Sequence, residues 1–384
     1  MILRLFLILS CVFSISAVAS AETGALQLTP LTFHIPGGPA HPVQGSDGAY
    51  HWVYEIQIIN VSSLAWQLDR LTAVANGKVI SELKGDELKS RTGPLSTRGG
   101  SAELGPNQAE IVWMHLKFNS KKDLPQKISH RFYIRGNGKT AEVRGAEVAV
   151  STEDPLVLSP PLKGERWLAA DGCCDSIRHV RALLPIDGKL YAAQRFAIDW
   201  EKLDSNNRIY SGDAKNPENY FCYGQEVLAV ADAEVVEARD GLTNQVPGKP
   251  PESIDLSQAD GNYIVLSISP GHYALYAHLK PGSVRVKTGD HVQAGQIIAQ
   301  VGNTGNTSEP HLHFHVMDGP SPLASNGLPY VLKSFEVSGK APSTQAFDKA
   351  AADGTPLAIE PTRSSGRHED QLPLDLSLVQ FPGN

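Results

Sequence analysis

The residues best suited to chemistry form a run of alternating histidines. Residues 309–315 read Glu-Pro-His-Leu-His-Phe-His, with His311, His313 and His315 at every second position. Alternate side chains of a β-strand lie on one face, so these three imidazoles are expected to project together. Imidazoles grouped in this way would repel one another if protonated, and a bound metal ion is the natural explanation for them. The segment is therefore predicted to be a strand that carries part of a metal site.

A fourth histidine, His278, ends an apolar run at residues 273–278 that has the composition of a strand. Residues 284–298 continue as short runs between glycine turns, which predicts a compact β-roll. Biotinyl and lipoyl carrier domains share this turn pattern, but they place a modifiable lysine on an exposed hairpin. Residues 289–315 contain no lysine, so a carrier domain is disfavoured.

Three short motifs together resemble one enzyme family. They are Tyr-Ala-His-Leu at residues 276–279, Gly-Asn-Thr-Gly-Asn-Thr at 302–307 and Pro-His-Leu-His-Phe at 310–314. Their combination resembles the core of the lysostaphin/LytM-type zinc endopeptidases, whose fold is also called the duplicated hybrid motif. In that family two zinc ligands come from a His-x-x-x-Asp motif, and the third is the second histidine of His-x-His. The resemblance implies a zinc-dependent peptidase that acts on peptidoglycan peptides.

The family's site residues can be carried over one by one. Asp199 and His313 match two zinc ligands, while His311 and His278 match the two catalytic histidines that act on the reacting water and the transition state. The place of the remaining ligand is occupied by Arg195. Arginine stays protonated in proteins and has no lone pair for a metal, so this residue cannot be a ligand. The site is one ligand short unless another side chain enters it.

Several side chains are candidates for the missing zinc ligand. The favoured one is His179, which lies one short loop upstream and could fold back into the site. His315 is less favoured, because the family usually has a supporting glutamate there, and Asp213 and Cys222 rank lower still.

Two hypotheses for the function remain open. The first is a secreted zinc metalloendopeptidase that hydrolyses peptide bonds in peptidoglycan cross-links or stem peptides. The alternative is a LytM-like protein with an incomplete metal site that binds the cell wall or activates a separate amidase. In the alternative, Arg195 is expected to pair with Asp199 and so to replace the metal.

The ends and the composition of the chain bear on its location and its partners. Residues 1–21 have the layout of a cleavable signal peptide, which predicts a periplasmic or secreted protein. A lipoprotein signal with Cys11 as the modified cysteine is a less favoured interpretation. No later segment has the apolar length of a transmembrane helix. A net charge of −7 offers no basic surface for phosphates, so nucleic acid is not an expected partner.

The chain is predicted to be all-β, with a sandwich followed by a LytM-like β-roll. Short alternating runs between turns predict the β-sandwich over residues 22–152, and proline-rich residues 153–166 predict an extended linker. The β-roll domain is expected over residues 167–336, and residues 337–384 are a C-terminal extension in which 374–379 could form a last strand. Residues 84–100 are predicted to be a long exposed loop and residues 241–262 an inserted loop.

The sequence predicts no catalytic or metal-binding role for the other histidines and the cysteines. His34, His51, His115 and His130 are predicted to be surface or packing residues, because histidine serves many roles. An export compartment permits disulfides. The pattern allows one bridge from Cys173 or Cys174 to Cys222, and three buried thiols are the alternative.

Overall fold

A computed structural model describes residues 28–38, 41–151 and 153–382 of the chain. It shows a β-sandwich followed by a second β-rich domain, so the predicted fold class is confirmed. The predicted signal peptide at residues 1–21 lies outside the described residues. Within the described ranges, no helix has the length and apolar character needed to cross a membrane.

The first domain consists of two facing antiparallel sheets. Its strands are β1 (Leu31–His34), β2 (Val43–Gln44), β3 (Tyr50–Asn60), β4 (Trp66–Ala75), β5 (Lys78–Lys84), β6 (Thr92–Gly93), β7 (Glu103–Leu104), β8 (Ala109–Phe118), β9 (Lys127–Gly136) and β10 (Lys139–Ala149). One sheet has the order β1-β3-β8-β6 with β2 beside β3. The other has the order β10-β9-β4-β5 with β7 beside β4.

The strand periodicity explains the core of the sandwich. Trp52, Tyr54 and Ile56 alternate along β3 and are fully buried in one apolar cluster with Phe132 of the facing sheet. The predicted exposed loop at residues 84–100 is wrong in part. It contains helix α1 (Gly85–Ser90) and strand β6, because Leu88 is buried at 1% exposure and anchors the helix against this core.

The second domain is built on one large sheet. The strands of this domain are β11 (Leu156–Leu158), β12 (Gly164–Ala170), β13 (Leu183–Ile186), β14 (Lys189–Ala192), β15 (Ile198–Lys202), β16 (Glu226–Leu228), β17 (Ala233–Arg239), β18 (Tyr263–Ser269), β19 (His272–Ala277), β20 (His291–Val292), β21 (Ile297–Gln300), β22 (Leu312–Met317), β23 (Gly327–Leu328), β24 (Tyr330–Leu332), β25 (Phe335–Lys340), β26 (Gly366–His368) and β27 (Ser377–Phe381). The large sheet has the order β20-β17-β18-β19-β22-β15-β12-β27-β25-β26, with β23 beside β22. Helix α2 covers Thr344–Asp353, and short 3-10 helices cover Lys121–Asp123, Pro217–Asn219 and Leu256–Gln258.

The segments on either side of the predicted β-roll are built into its domain. Residues 153–166, predicted as a linker, include β11, which pairs in parallel with β24. Residues 337–384, predicted as a C-terminal extension, include β27, which lies between β12 and β25. Both segments therefore contribute strands to the second domain.

The outer face of the β3 sheet packs on the second domain. Val53 of β3 belongs to the apolar core of the second domain, although it lies on a sandwich strand. On β8, Trp113 packs with Leu183 and Ala192 of the β13–β14 hairpin. The outer face of this sheet thus contacts the second domain through two separate apolar clusters.

A buried ion pair crosses this contact. Nε of Arg195 donates to Oε1 of Glu55 at 3.2 Å, Nη2 donates to Oε2, and both side chains are 2% exposed. Such a bidentate pair satisfies both carboxylate oxygens. The pairing of Arg195 with Asp199, expected for a metal-free site, is therefore wrong, because the guanidinium is occupied by a carboxylate from the other domain.

The buried pair should matter greatly for stability. Glu55→Ala leaves the Arg195 guanidinium buried without a partner, and loss of one member of a buried pair typically costs about 3–5 kcal/mol. We expect denaturant titrations to show a fall in the free energy of unfolding of this size. The double variant Glu55→Met/Arg195→Met should recover most of the loss, because it leaves no buried charge.

An exposed pair of the same domain is the matched control. Glu142 accepts from Nε of Arg144 at 2.7 Å at the surface. Glu142→Ala should change the free energy of unfolding by less than about 1 kcal/mol. Equal effects of Glu55→Ala and Glu142→Ala would show that the buried pair contributes no more than a surface contact.

His130 should make the sandwich sensitive to acid. The Tyr54 hydroxyl donates to its Nε2 at 2.8 Å, and its Nδ1 donates to the backbone oxygen of Ala146 at 2.6 Å. Burial lowers the pKa of His130 from 6.5 to about 4. The unfolded chain therefore binds the proton at higher pH, and stability present above pH 6.5 is lost as the pH falls toward 4.

Urea titrations over a pH series measure this loss. His130 alone should make the free energy of unfolding about 3 kcal/mol smaller at acidic pH than at neutral pH. His130→Gln removes the titrating group, so the variant should show a correspondingly weaker pH dependence in the same window. A pH dependence identical to that of the wild type would contradict this assignment.

Candidate metal centre

Strand register brings the predicted metal ligands together. His313 of β22 lies opposite Asp199 of β15 on one side and opposite Ala277 of β19 on the other. Directly opposite residues of antiparallel strands point to the same face. His315 lies two positions further along β22 and follows on that face.

The Asp199 carboxylate lies among three imidazoles. Its Oδ1 is 2.9 Å from Nδ1 of His313 and 3.4 Å from Nε2 of His311. Its Oδ2 is 3.3 Å from Nε2 of His179. The structure thus places His179, the favoured candidate for the ligand that Arg195 cannot supply, on the same carboxylate as His313.

The loop after β12 delivers His179 to the site. Nδ1 of His179 donates to the backbone oxygen of Asp171 at 3.0 Å, which leaves the Nε2 lone pair free to bind a metal. The same loop is fixed from outside by Arg181, whose Nη1 donates to the backbone oxygens of Ser90 at 2.7 Å and Arg98 at 2.9 Å. Both of these oxygens belong to the sandwich domain, so the sandwich helps to position the ligand.

An unusual backbone conformation turns His278 toward the site. It follows Ala277, which shares a face with His313, so regular strand alternation would send the next side chain to the opposite face. Its φ is instead 60°, in the left-handed region, and its ring lies 5.8 Å from the ring of His313. Nδ1 of His278 donates to the backbone oxygen of Thr304 at 2.8 Å. A conformation of this kind costs about 1–3 kcal/mol and persists only where the surroundings hold it.

The turn that provides this carbonyl group depends on two glycines. A Cβ on Gly305, whose φ is 86°, would lie 2.3 Å from the backbone nitrogen of Gly261. In the reverse direction, a Cβ on Gly261 would lie 2.2 Å from the oxygen of Thr304. No side chain fits at either position, and this close approach fixes the acceptor of His278.

His311 is held in the same way as His179 and His278. Its Nδ1 donates to the backbone oxygen of Glu309 at 2.8 Å, and its ring lies 4.8 Å from that of His278. Each of these three histidines therefore uses Nδ1–H on a carbonyl group and, when neutral, keeps a lone pair on Nε2.

His315, the weaker candidate for the third ligand, lies behind His313. Its Nδ1 is 2.9 Å from Nε2 of His313, and its own Nε2 is buried without a partner among the described residues. When His313 offers Nδ1 to a metal, its Nε2–H donates to His315, whose remaining proton on Nε2 then has no acceptor. An unmade hydrogen bond of this kind costs about 1–3 kcal/mol. The contacts place His315 beside His313 as a hydrogen-bond partner.

The lower-ranked ligand candidates lie elsewhere. Asp213 is exposed in a turn, and the Cys222 thiol is buried and donates to the backbone oxygen of Pro310 at 2.9 Å. Cys173 and Cys174 form a disulfide with each other. The predicted bridge from either of them to Cys222 is therefore wrong, and so is the alternative of three free thiols.

Burial and charge set the protonation states of the site. Burial alone would raise the pKa of Asp199, but the imidazoles of His179 and His311 outweigh burial and hold this pKa well below its ordinary value. Burial also opposes charge on His179, but the Asp199 carboxylate prevails and raises the pKa of that imidazole. For His278, burial and then the neighbouring His311 and His313 lower the pKa well below its ordinary value. At neutral pH the site therefore combines an ionised carboxylate with a neutral His278.

The donor atoms fit a metal cation. One ligand atom each from His179, Asp199 and His313 lie within 4.8 Å of one another, and so do those of His278, His311 and His313. The first set joins one carboxylate to two imidazoles, and nitrogen and oxygen donors from three side chains are typical of catalytic zinc. The second set has no anion to balance a divalent charge. The first set is therefore the better metal site, with His278 and His311 beside it.

A groove of about 280 Å³ is lined in part by residues that are close in sequence to His179 and His311. Arg178, which precedes His179, and Glu309, two residues before His311, lie on its wall. Asp348 of helix α2 also lines the groove, and it accepts from Nη2 of Arg178 at 2.8 Å. Helix α2 thus helps to shape this groove.

Some residues that position the site escape sequence reasoning. Glu55 and Asp171 carry no motif: Glu55 meets Arg195 across the two domains, and Asp171 contributes only its backbone oxygen to His179 in the same loop. Thr304 contributes only its carbonyl group, although its place in the Gly-Asn-Thr-Gly motif was a signal that this turn matters.

Known proteins resemble the part of the chain that carries His278, His311, His313 and His315. Residues 219–325 match the family described as Peptidase family M23. Over 109 residues the chain is 37% identical to glycyl-glycine endopeptidase ALE-1 of Staphylococcus capitis, which covers 28% of this chain and 26% of that protein. Over 94 residues it is 31% identical to peptidoglycan DD-endopeptidase ShyC of Vibrio cholerae, which covers 24% of this chain and 19% of that protein. The chain thus spans about a quarter or less of the length of these relatives.

Among solved structures, the catalytic domain of the antimicrobial peptidase lysostaphin from Staphylococcus simulans is similar with a TM-score of 0.23 and 24% identity. The similarity covers 42% of this chain and 88% of that chain. The family match includes His278, His311 and His313, whereas His179 and Asp199 lie before it. The resemblance inferred from the three motifs is confirmed: residues 219–325 carry a domain similar to peptidase family M23, the lysostaphin/LytM-type peptidases.

Proposed function

We propose that this protein is a zinc-dependent endopeptidase that hydrolyses peptide bonds in peptidoglycan cross-links or stem peptides. The match of residues 219–325 to peptidase family M23 and the similarity to a glycyl-glycine endopeptidase and a peptidoglycan DD-endopeptidase support a peptidase acting on the cell wall. The observation that carries the proposal is the position of His179 beside Asp199. This imidazole supplies the third ligand, so Arg195 is no longer a reason to regard the site as incomplete or the protein as a mere activator of an amidase.

The residues of the site divide between metal binding and proton transfer. His179, Asp199 and His313 would hold the zinc ion, which when bound lowers the pKa of a water molecule and polarises a peptide carbonyl group. His311 keeps its Nε2 lone pair near Asp199 and can accept the proton of the attacking water.

His278 begins the reaction as an acceptor as well. Its Nδ1–H is bonded to Thr304, so Nε2 becomes a donor only after His278 takes up a proton. Burial and neighbouring imidazoles disfavour that charge in the resting site, but negative charge developing on the substrate oxygen favours it. We propose that the proton taken from the attacking water by His311 passes to the adjacent His278, which donates it to the developing oxyanion as a hydrogen bond, and that the proton leaves with the amine when the C–N bond breaks.

The proposed substrate and location are linked. We propose that an extended peptide lies along the groove whose wall includes Arg178 and Glu309, which are close in sequence to His179 and His311. Peptidoglycan lies outside the cytoplasmic membrane, and the signal-peptide pattern at residues 1–21 favours export to the periplasm or beyond. We therefore propose that the protein acts there.

Zinc content and activity should depend together on His179. His179→Ala removes one of three ligands, so purified protein should lose stoichiometric zinc, and release of peptides from purified peptidoglycan should fall by about a hundredfold or more. Metal analysis by mass spectrometry and a dye-release assay on labelled cell wall measure the two quantities.

The control is another histidine of the same domain. His291 is exposed on β20, and His291→Ala should keep both zinc and activity. Zinc-free wild-type protein that stays inert on cell wall after zinc supplementation would end the enzyme proposal. A His179→Ala variant with full zinc would instead assign the third ligand to another residue.

His315 should tune the affinity for zinc without being a ligand. His315→Leu removes the acceptor of the Nε2–H of His313, and loss of such a supporting partner typically weakens metal binding by about 10–100-fold. His315→Glu restores an acceptor and should keep the affinity within a few-fold of the wild type or improve it. Competition with a chelator measures the dissociation constants, and equal values for His315→Leu and wild type would contradict this role.

A further inference from the structure

A second pair of imidazoles lies at the junction of the two domains. Nδ1 of His51 on β3 is 2.9 Å from Nε2 of His115 on β8, and the rings are stacked with centroids 5.2 Å apart. His51 is 4% exposed, and the side chain of His115 is 15% exposed. The sequence predicts packing or surface roles for these two residues, but their contacts indicate a binding site.

The outer nitrogen of each ring is bound to a carboxylate. Nε2 of His51 lies 3.0 Å from Oδ1 of Asp47, and Nδ1 of His115 lies 2.9 Å from Oδ2 of Asp175. Lys117 donates to Asp47 in turn. Ionised carboxylates only accept hydrogen bonds, so both outer nitrogens carry protons. This is the arrangement in which proteins orient histidines that bind a metal.

A count of protons shows that a cation is required between the facing nitrogens of His51 and His115. Two neutral imidazoles bring two protons, and both are used by Asp47 and Asp175. The facing nitrogens of His51 and His115 then present lone pairs to each other at 2.9 Å. Either an additional proton or a metal ion must lie between them, since two facing lone pairs repel.

Cys174 adds a third donor to the pair. Its sulfur and one ring nitrogen each from His51 and His115 lie within 4.8 Å of one another. In the structure this sulfur is bonded to Cys173. A dithiol reductant, itself oxidised to a disulfide, would deliver two electrons and two protons to the pair and leave two thiols. The thiol of Cys174 could then lose its proton and bind as a thiolate.

We propose that His51, His115 and Cys174 form a second metal site, distinct from the catalytic one, which takes a borderline or soft transition-metal ion such as Zn²⁺ when the Cys173–Cys174 disulfide is reduced. Two imidazoles and one thiolate suit such ions. Tetrahedral bonds of about 2.0–2.1 Å place two nitrogens about 3.3 Å apart, so the imidazole pair needs to open by only a few tenths of an ångström.

Cobalt(II) is the probe that separates the two sites. The catalytic set offers only nitrogen and oxygen donors, so a sulfur-to-cobalt charge-transfer band reports the proposed site alone. Cys173→Ser frees Cys174 without any reductant. The full-length variant should bind one more equivalent of Co²⁺ than the oxidised wild type and should show this band. Wild-type protein should gain the additional equivalent of Co²⁺ and the band after treatment with a phosphine. The phosphine reduces the disulfide and is converted with water to its oxide.

Three further variants complete the test. Cys173→Ser/His115→Ala should bind the second equivalent of Co²⁺ at least about tenfold more weakly and should lose the charge-transfer band. Cys174→Ser should lack this band even after reduction. His115→Gln replaces the alanine variant if circular dichroism shows that the latter is unfolded. His313→Ala should lose the catalytic equivalent but keep the band, so the outcome does not depend on the proposed peptidase activity.

The proposal is overturned if Cys173→Ser binds no additional cobalt. It is also overturned if the band persists in Cys173→Ser/His115→Ala or in its folded glutamine counterpart, because the thiolate would then belong to another site such as Cys222. In either case the cation between His51 and His115 is a proton.

Discussion

The candidate metal centre depends on the contacts that fix the segment between β12 and β15 against the sandwich. His179 lies on a loop, with no strand ladder of its own to hold it. Arg181 ties this loop to backbone oxygens of the sandwich, and the Glu55–Arg195 pair fixes the far end of the segment. A displacement of about 1 Å at a reacting centre can cost a hundredfold in rate. A domain without catalytic groups therefore still determines the geometry of the site.

Two positions have exchanged their roles in this arrangement. In the family pattern the residue four before Asp199 binds the metal, whereas here Arg195 at that position joins the two domains. In the proposed site the ligand is His179, whose Nδ1 is oriented by a main-chain carbonyl group. The exchange is chemically consistent. The Arg195 guanidinium is a permanent cation and pairs with the Glu55 carboxylate, whereas a neutral His179 imidazole has the lone pair that a metal ligand requires.

The sequence predicted the parts of the site that follow from local geometry. Strand alternation is a property of the backbone, so the shared face of His313 and His315 could be inferred without a structure. Chemistry alone excluded Arg195 as a ligand. The partner of Arg195 could not be inferred, because Glu55 reaches it through the packing of two domains. The Cys173–Cys174 disulfide was missed for a related reason, since spacing in the sequence does not give connectivity.

The place of β27 within the large sheet has a consequence for biosynthesis. It lies between β12 and β25, and β12 in turn supports β15, which carries Asp199. The ribosome makes β12 long before it makes β27, so the sheet of a nascent chain lacks an inner member until translation has passed residue 381. Non-local strand pairing of this kind forms late. The large sheet is therefore complete only when nearly all of the described chain has been synthesised.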